Sequence, residues 1–206
     1  MIHADERLLV LDKPSGLLSV PGKGPLNADC LAVRAAEAYP GARIVHRLDQ
    51  ATSGVIVMAL DADAHRHLSR QFEERRVSKS YHAIVAGIVR DESGAVDLPM
   101  RTDIDRRPYQ IIDHVHGRTA LTRWRVLERG DDRTLLELMP VTGRSHQLRV
   151  HMMAIGHPIL GDELYAPPDV RSAAPRLLLH ALELEFEHPG TNERLRFVAP
   201  RPFAMT

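Results

Sequence analysis

Residues 46–54 read HRLDQATSG, a polar stretch that interrupts two apolar ones, Ala42 to Val45 and Val55 to Leu60. A carboxylate at such a break, Asp49, can be held ionised at a strand end by the neighbouring Arg47 and then serve as nucleophile, base or fixed negative charge. The competing reading is an Asx turn, in which Asp49 bonds the backbone and Thr52-Ser53-Gly54 completes a loop. A second cluster, Gly143-Arg144-Ser145-His146-Gln147, sets a Gly-Arg turn before a helix start, with Ser145 the expected N-cap. Arg144 beside a helix N-terminus suits an anion, either an internal carboxylate such as Asp49 or a phosphate. The alternative is a capped surface helix with solvated arginines. In the third cluster, Lys79-Ser80-Tyr81, the phenol can stack on a base or exchange a proton, or simply pack.

Other chemistries find less support. Among the 12 histidines, His65 and His67 stand two apart and His146 and His151 five apart, neither matching the i, i+4 ligand pair of a zinc helix, so no metal site is expected. Lys23 in Gly22-Lys23-Gly24 lacks the spacing of a phosphate-binding P-loop, and no GxGxxG follows a strand. Cys30 is the single cysteine, which excludes an intrachain disulfide and a cysteine-held cluster.

The 206 residues carry 27 basic and 27 acidic side chains. Zero net charge argues against a general polyanion binder, yet residues 65–90 hold Arg66, Arg70, Arg75, Arg76, Lys79 and Arg90 against Glu73 and Glu74, a local net of +4. All but three of the bases are arginine, whose planar fork suits phosphate and base contacts. The longest apolar run, Val55 to Leu60, is far short of the roughly 20 residues that span a bilayer. The first residues lack the pattern of a secretory signal, so a cytoplasmic protein is expected.

The elements that must position these clusters follow from periodicity. RLLVL at 7–11 predicts a strand ended by Lys13-Pro14-Ser15-Gly16, and 17–25 a loop. Leu31, Ala35 and Ala38 predict a helix over 28–39, started near Asn27 and ended by Pro40-Gly41. Val55 to Leu60 predicts a strand buried on both faces. Ala64, Leu68 and Phe72 predict an amphipathic helix capped by Asp61 or Asp63. Strand character returns at 79–87, 119–127 and 134–139, whereas 91–118 is too polar and turn-rich to assign. Leu148, Met152 and Ile155 predict a helix stopped by Gly156 and Pro158. Leu182, Leu184 and Phe186 alternate with glutamates as a strand with one wet face, and Leu195 and Phe197 repeat the pattern. The class is α+β: one domain, residues 1–206, with a mixed, mainly antiparallel sheet flanked by a few helices.

Taken together, HRLDQATSG, a Lys-X-Tyr about 30 residues after the Arg-Leu-Asp, and GRSHQLRVHMMAIGHPILGD resemble the RluA-type pseudouridine synthases. The likeness extends to Lys13-Pro14-Ser15-Gly16 and to Leu179-His180-Ala181, covering nearly the whole chain. Leu-Leu-Ser-Val-Pro-Gly at 17–22 looks most like the short subgroup, expected to lack a preceding S4-like module. The resemblance implies the pseudouridine synthase catalytic fold and isomerisation of uridine in RNA without metal or cofactor. It implies that Asp49 is the essential aspartate, Arg144 the arginine paired with it, Tyr81 the tyrosine stacking on uracil, and Arg47 the arginine filling the space of the extruded nucleotide. Arg66, Arg70, Arg75, Arg76 and Lys79 are candidate phosphate contacts, and Arg101, Arg106 and Arg107 further ones. Structured RNA, a ribosomal or transfer RNA hairpin, is the expected partner of a monomer. Three other readings compete: a noncatalytic RNA-binding protein that kept the fold, a ribosomal structural subunit, which should be strongly basic, and a glycoside hydrolase, which needs a second acid for which Asp162 is the candidate.

Overall fold

The computed structural model describes residues 1–22, 24 and 28–205; Lys23, and Asn27 at the expected helix start, lie outside them. The chain folds as two compact units. The first comprises Met1–Lys79 and His180–Arg201; the second comprises residues 80–179 and those from Pro202 on.

At the centre of the first unit is β4 (Ser53–Ala59), every residue of it buried. This is the strand expected from the β-branched run at 55–60, extended backwards by Ser53 and Gly54. On one side β4 pairs antiparallel with β2 (Leu8–Lys13), which pairs with the short β1 (His3–Ala4). β3 (Arg43–Ile44) also pairs antiparallel with the end of β4. At its start β4 meets β11 (Leu179–Glu187) in parallel, Ser53 opposite His180 and Gly54 opposite Ala181. Gly54 has φ +118°, and a Cβ there would lie 2.2 Å from the Ala181 carbonyl oxygen, so only glycine lets the strands approach. β12 (Arg194–Val198) pairs antiparallel with β11.

Among the described residues, two helices complete this unit. α1 (Leu31–Ala38) begins later than the expected 28–39, with Cys30 as N-cap and no side-chain cap bond; Ala35 packs with Leu9 and Met58. α2 (Ala62–Glu73) is capped by the Asp61 carboxylate, which accepts from the amides of Asp63 and Ala64. Arg75, at φ 59°, takes the left-handed place after the helix. Its amide donates to Phe72 O and that of Arg76 to Gln71 O, closing the helix with an arginine where glycine is commonest.

In the second unit β5 (Ser78–Ala86), β10 (Arg133–Pro140), β9 (Leu121–Arg129) and β6 (Ser93–Asp97) lie in that order, all antiparallel. A hairpin of β7 (Met100–Thr102) and β8 (Gln110–Ile112) stands beside them. Three strands thus occupy 91–118, the segment too polar to assign from sequence. They are three to five residues long, too short for alternation to register. α3 (Gln147–Ala154) ends as expected at Gly156 (φ 83°) but buries Gln147 through Met152 on every side. Its N-cap is His146 in the left-handed conformation, not Ser145, and no side chain caps it. A five-residue helix, α4 (Pro168–Ser172), has no counterpart among the expected elements.

Candidate active site

Asp49 sits in the loop entering β4, half-buried between the buried Leu48 and the exposed Gln50. Residues 13–19, leaving β2, hold this loop by its main chain. The Ser19 hydroxyl donates to Leu48 O at 2.7 Å and accepts from Leu48 N at 3.2 Å. Gln50 O accepts from Gly16 N at 2.8 Å and from the Lys13 ammonium at 3.1 Å, and Ser15 donates to Ala51 O at 2.7 Å. Thr52 N donates to Asp49 O at 3.0 Å, closing the turn. Both neighbours of Asp49 are therefore tied to a second segment, which removes the freedom a polar loop otherwise keeps. Lys13 is fully buried, and its ammonium also donates to Pro14 O and Leu17 O. That satisfies a charge which would be costly if left bare.

Two histidines brace the same region. Val57 N donates to His46 Nε2 at 3.1 Å, so this ring is a neutral acceptor, stacked on Phe72 with centroids 4.4 Å apart. Burial, and secondarily the Lys79 ammonium, push its pKa down to about 3. His180 Nε2 donates to Ala199 O at 2.9 Å, which leaves Nδ1 to accept from the Ser53 hydroxyl at 2.8 Å. Arg47 is exposed, and among the described residues no carboxylate lies within ion-pair distance of it, so the expected local Arg47–Asp49 pair is absent.

The basic residues after Asp49 are interleaved with acids. Arg66 pairs with Asp63, Arg70 with Glu74 at 3.6 Å, and Arg76 with Glu74 at 2.9 Å and Glu187 at 2.8 Å. Asp63 and Glu187 lie outside the 65–90 window, so the surface is less positive than the window implies. Such exposed pairs contribute about 0–1 kcal/mol. Arg75 is exposed, with no carboxylate within ion-pair distance among the described residues. Lys79 is half-buried, its pKa lowered by burial and by Arg75.

Tyr81 and Arg144 belong to the second unit. Tyr81 is half-buried in β5 opposite Leu138; beside it Ser80 donates to Glu137 at 2.7 Å. Arg144 is half-buried, its Nε donating to Thr119 O at 3.1 Å. Its amide donates to Gln147 Oε1 at 3.0 Å, while Gln147 N donates back to Arg144 O at 3.2 Å. Behind this turn His151 donates from Nε2 to Leu98 O and accepts at Nδ1 from Thr122. Burial lowers its pKa too. Arg101 bonds Asp113 and Arg106 bonds Asp103, while Arg107 is exposed at the hairpin tip.

Asp162, the second acid a hydrolase would need, is buried and held by Arg149 through two bonds, one of them 2.8 Å. It also accepts from the amides of Leu164 and Tyr165. These bonds give Asp162 a structural role, holding Arg149 of α3 and the turn at Leu164 and Tyr165. Among the described residues no group of three or more histidine, cysteine or acidic side chains could hold a metal ion.

Lys13, Ser15, Ser19 and Gln147 are supporting residues that composition and spacing did not single out. Their partners are main-chain atoms remote in sequence, which no local pattern displays. The KPSG and HQ of the two motifs were the available signals.

A half-buried aspartate thus stands in an immobilised loop, a fixed carboxylate able to serve as nucleophile or base. The comparisons specify the family. The family model described as RNA pseudouridylate synthase matches residues 7–154, and the chain belongs to that family. It is 48% identical over 204 residues, 98% of this chain and 93% of the relative, to a protein of Pasteurella multocida named dual-specificity RNA pseudouridine synthase RluA. The protein of that name from Escherichia coli K12 is 49% identical over the same shares. Among solved structures, human RNA pseudouridylate synthase domain containing 1 superposes with TM-score 0.82 at 32% identity, covering 98% of this chain and 83% of that one. Human RNA pseudouridylate synthase domain containing 4 gives 0.78 at 29%, covering 98% and 88%. The chain is therefore an isomerase acting on RNA, with the α+β fold of pseudouridine synthases.

Proposed function

We propose that this chain converts uridines to pseudouridine in hairpin loops of large-subunit ribosomal RNA, of the transfer RNA anticodon arm, or of both, in the cytoplasm and as a monomer, with both units serving one catalytic domain. The observation that carries the reading is the immobilised Asp49 loop, in a chain about half identical to relatives named for dual specificity on RNA. The N1–C1′ bond of the uridine breaks, the uracil turns, and C5 bonds to C1′ and gives up its proton. Asp49 supplies the carboxylate at the ribose, either attacking C1′ or taking the 2′ proton. Tyr81 stacks on the uracil and helps remove the C5 proton, and Arg144 is the third catalytic residue.

C1′ of a stacked uridine cannot be reached, so the nucleotide must flip out at a cost of a few kcal/mol. Arg47 fills the vacated space. Contacts from Arg66, Arg70, Arg75, Arg76 and Lys79 to phosphates, and stacking on Tyr81, offset that cost. Zero net charge is compatible with this because binding uses one face. No helix among the described residues is long and apolar enough to cross a membrane.

The test offers wild-type protein a tRNA transcript and a large-subunit rRNA fragment, both labelled with [5-³H]uridine. Tritium release from one or both is expected, since C5 loses its hydrogen only on becoming the glycosidic carbon. Absence of release from both, together with release from another cellular RNA, would overturn the target assignment.

A further inference from the structure

Gln147 is buried, at the first position of α3, and every hydrogen-bonding site of its amide is used. Oε1 accepts from the Arg144 amide at 3.0 Å and from the Thr142 hydroxyl at 2.7 Å. Nε2 donates to Leu121 O at 3.1 Å and to Thr122 Oγ1 at 3.0 Å. Both threonines are committed in turn. Thr142 accepts from Leu121 N at 2.9 Å, and Thr122 passes its proton to His151 Nδ1 at 3.0 Å. These bonds fix which end of the amide faces which partner, because exchanging oxygen and nitrogen would set donors against donors at Arg144 N and an acceptor against Leu121 O.

The consequence falls on Arg144. Gly143 and Arg144 lie between β10 and α3 and belong to neither, and α3 is entered through the left-handed His146 without a side-chain cap. Apart from Gln147, the segment is tied by the Val141 amide to Leu121 O at 3.0 Å and by Arg144 Nε to Thr119 O at 3.1 Å, which leaves the Arg144 main chain itself to Gln147. Gln147 closes it from both directions, its backbone amide on Arg144 O and its side chain on Arg144 N. The same side chain ties the turn to β9 through Leu121 and Thr122. We infer that Gln147 is a positioning residue for Arg144, fixing the main chain from which the guanidinium projects without touching RNA itself. The inference rests on the proposed role of Arg144 at the reacting uridine.

The function of such a residue is geometric: a shift of about 1 Å in a reacting group can cost about 100-fold in rate with little change in binding. Gln147→Met keeps length and burial but cannot accept from the Arg144 amide. Single-turnover tritium release should fall about 100-fold while RNA affinity stays within about twofold. The discriminating step is a cycle with Arg144→Lys, whose residual rate remains measurable. If Gln147 acts through Arg144, Gln147→Met should cost less than about threefold in the Arg144→Lys background. Equal losses in both backgrounds, or an unchanged rate in Gln147→Met alone, would overturn the inference. A wild-type rate for Arg144→Lys and for Arg144→Ala would instead remove the role of Arg144 itself, a distinguishable result. Should Gln147→Met fail to fold, Thr142→Val and Thr142→Ser carry the same test. Thr142→Ser keeps the hydroxyl and should turn over normally, whereas Thr142→Val should show the slow, Arg144-dependent phenotype. Equal rates for the two would refute the inference.

Discussion

The loop that carries Asp49 and the turn that carries Arg144 are both short polar segments at the ends of buried elements, but they are held in different ways. The Asp49 loop is gripped at three non-catalytic carbonyl positions, Leu48, Gln50 and Ala51, by Ser19, Lys13, Gly16 and Ser15. The main chain of the Arg144 turn centres on one buried amide, with Thr142, Thr122 and His151 arrayed behind it, while the guanidinium is tied separately to Thr119 O. A distributed grip should weaken by degrees when one member is lost, whereas a hub should fail as a unit. Both solutions direct their supporting side chains at main-chain atoms rather than at the functional groups.

The largest effect that would sharpen this contrast lies behind the Arg144 turn. Asp162→Ala leaves the Arg149 guanidinium buried and without its carboxylate, and should destabilise the protein by about 3–5 kcal/mol in urea unfolding. A loss under about 1 kcal/mol would mean that this polar core is not what supports α3. In the Asp49 loop, Ser19→Ala removes one buried hydroxyl that bonds Leu48 twice. It should cost about 1–2 kcal/mol and about tenfold in turnover, while Ser15→Ala, nearer the surface, should cost less than about 1 kcal/mol. A collapse of activity on losing Ser15 alone would break the picture of a distributed grip.

Acid should probe the two segments through their histidines. His46 has a folded pKa of about 3, below the unfolded value of about 6.5. Its stabilising contribution is therefore complete above about pH 6.5 and is lost as pH falls toward the folded value, at up to about 1.4 kcal/mol per pH unit. His151, also lowered by burial, works in the same direction. His46→Gln should show a shallower loss of stability between pH 7 and pH 5 than wild type. An identical slope would mean that His46 is not buried neutral. The smallest effect concerns the helix surface. Replacing Arg66 and Arg70 by Ala and Arg75 by Gly, which keeps the left-handed turn, should change stability by less than about 0.5 kcal/mol. It should also flatten the log–log salt dependence of RNA binding by about 0.7 for each phosphate no longer neutralised. An unchanged salt slope would clear these residues of a binding role.

What was legible in the sequence follows the same division. β4 and α2 were legible because burial on both faces and a 3.6-residue period are written in contiguous residues, and the Asp61 cap stands next to the helix it starts. The end of α3 was legible from Gly156, but the end of α2 was not, since Arg75 occupies a left-handed position that glycine usually takes. The start of α3 differs from expectation because Ser145 has the chemistry of a cap, whereas the N-cap is the left-handed His146 without a side-chain cap, and Gln147 holds the turn that precedes it. The hairpin of β7 and β8 was not legible because its strands are three residues each and their apolar contacts, Met100 and Ile112 against Val150, come from far along the chain. Asp49, Tyr81 and Arg144 stood out only as members of an ordered set. Taken singly, an Asx turn, a packed tyrosine and a solvated arginine explained them as well.

The most direct test of the account compares wild type with Asp49→Asn in tritium release from [5-³H]uridine-labelled RNA, with binding of the same RNA measured beside it. The substitution keeps the shape of the side chain and removes its charge. Release by wild type, none by Asp49→Asn, and equal RNA affinity for both are the results predicted. Full release by Asp49→Asn would contradict the account at its centre.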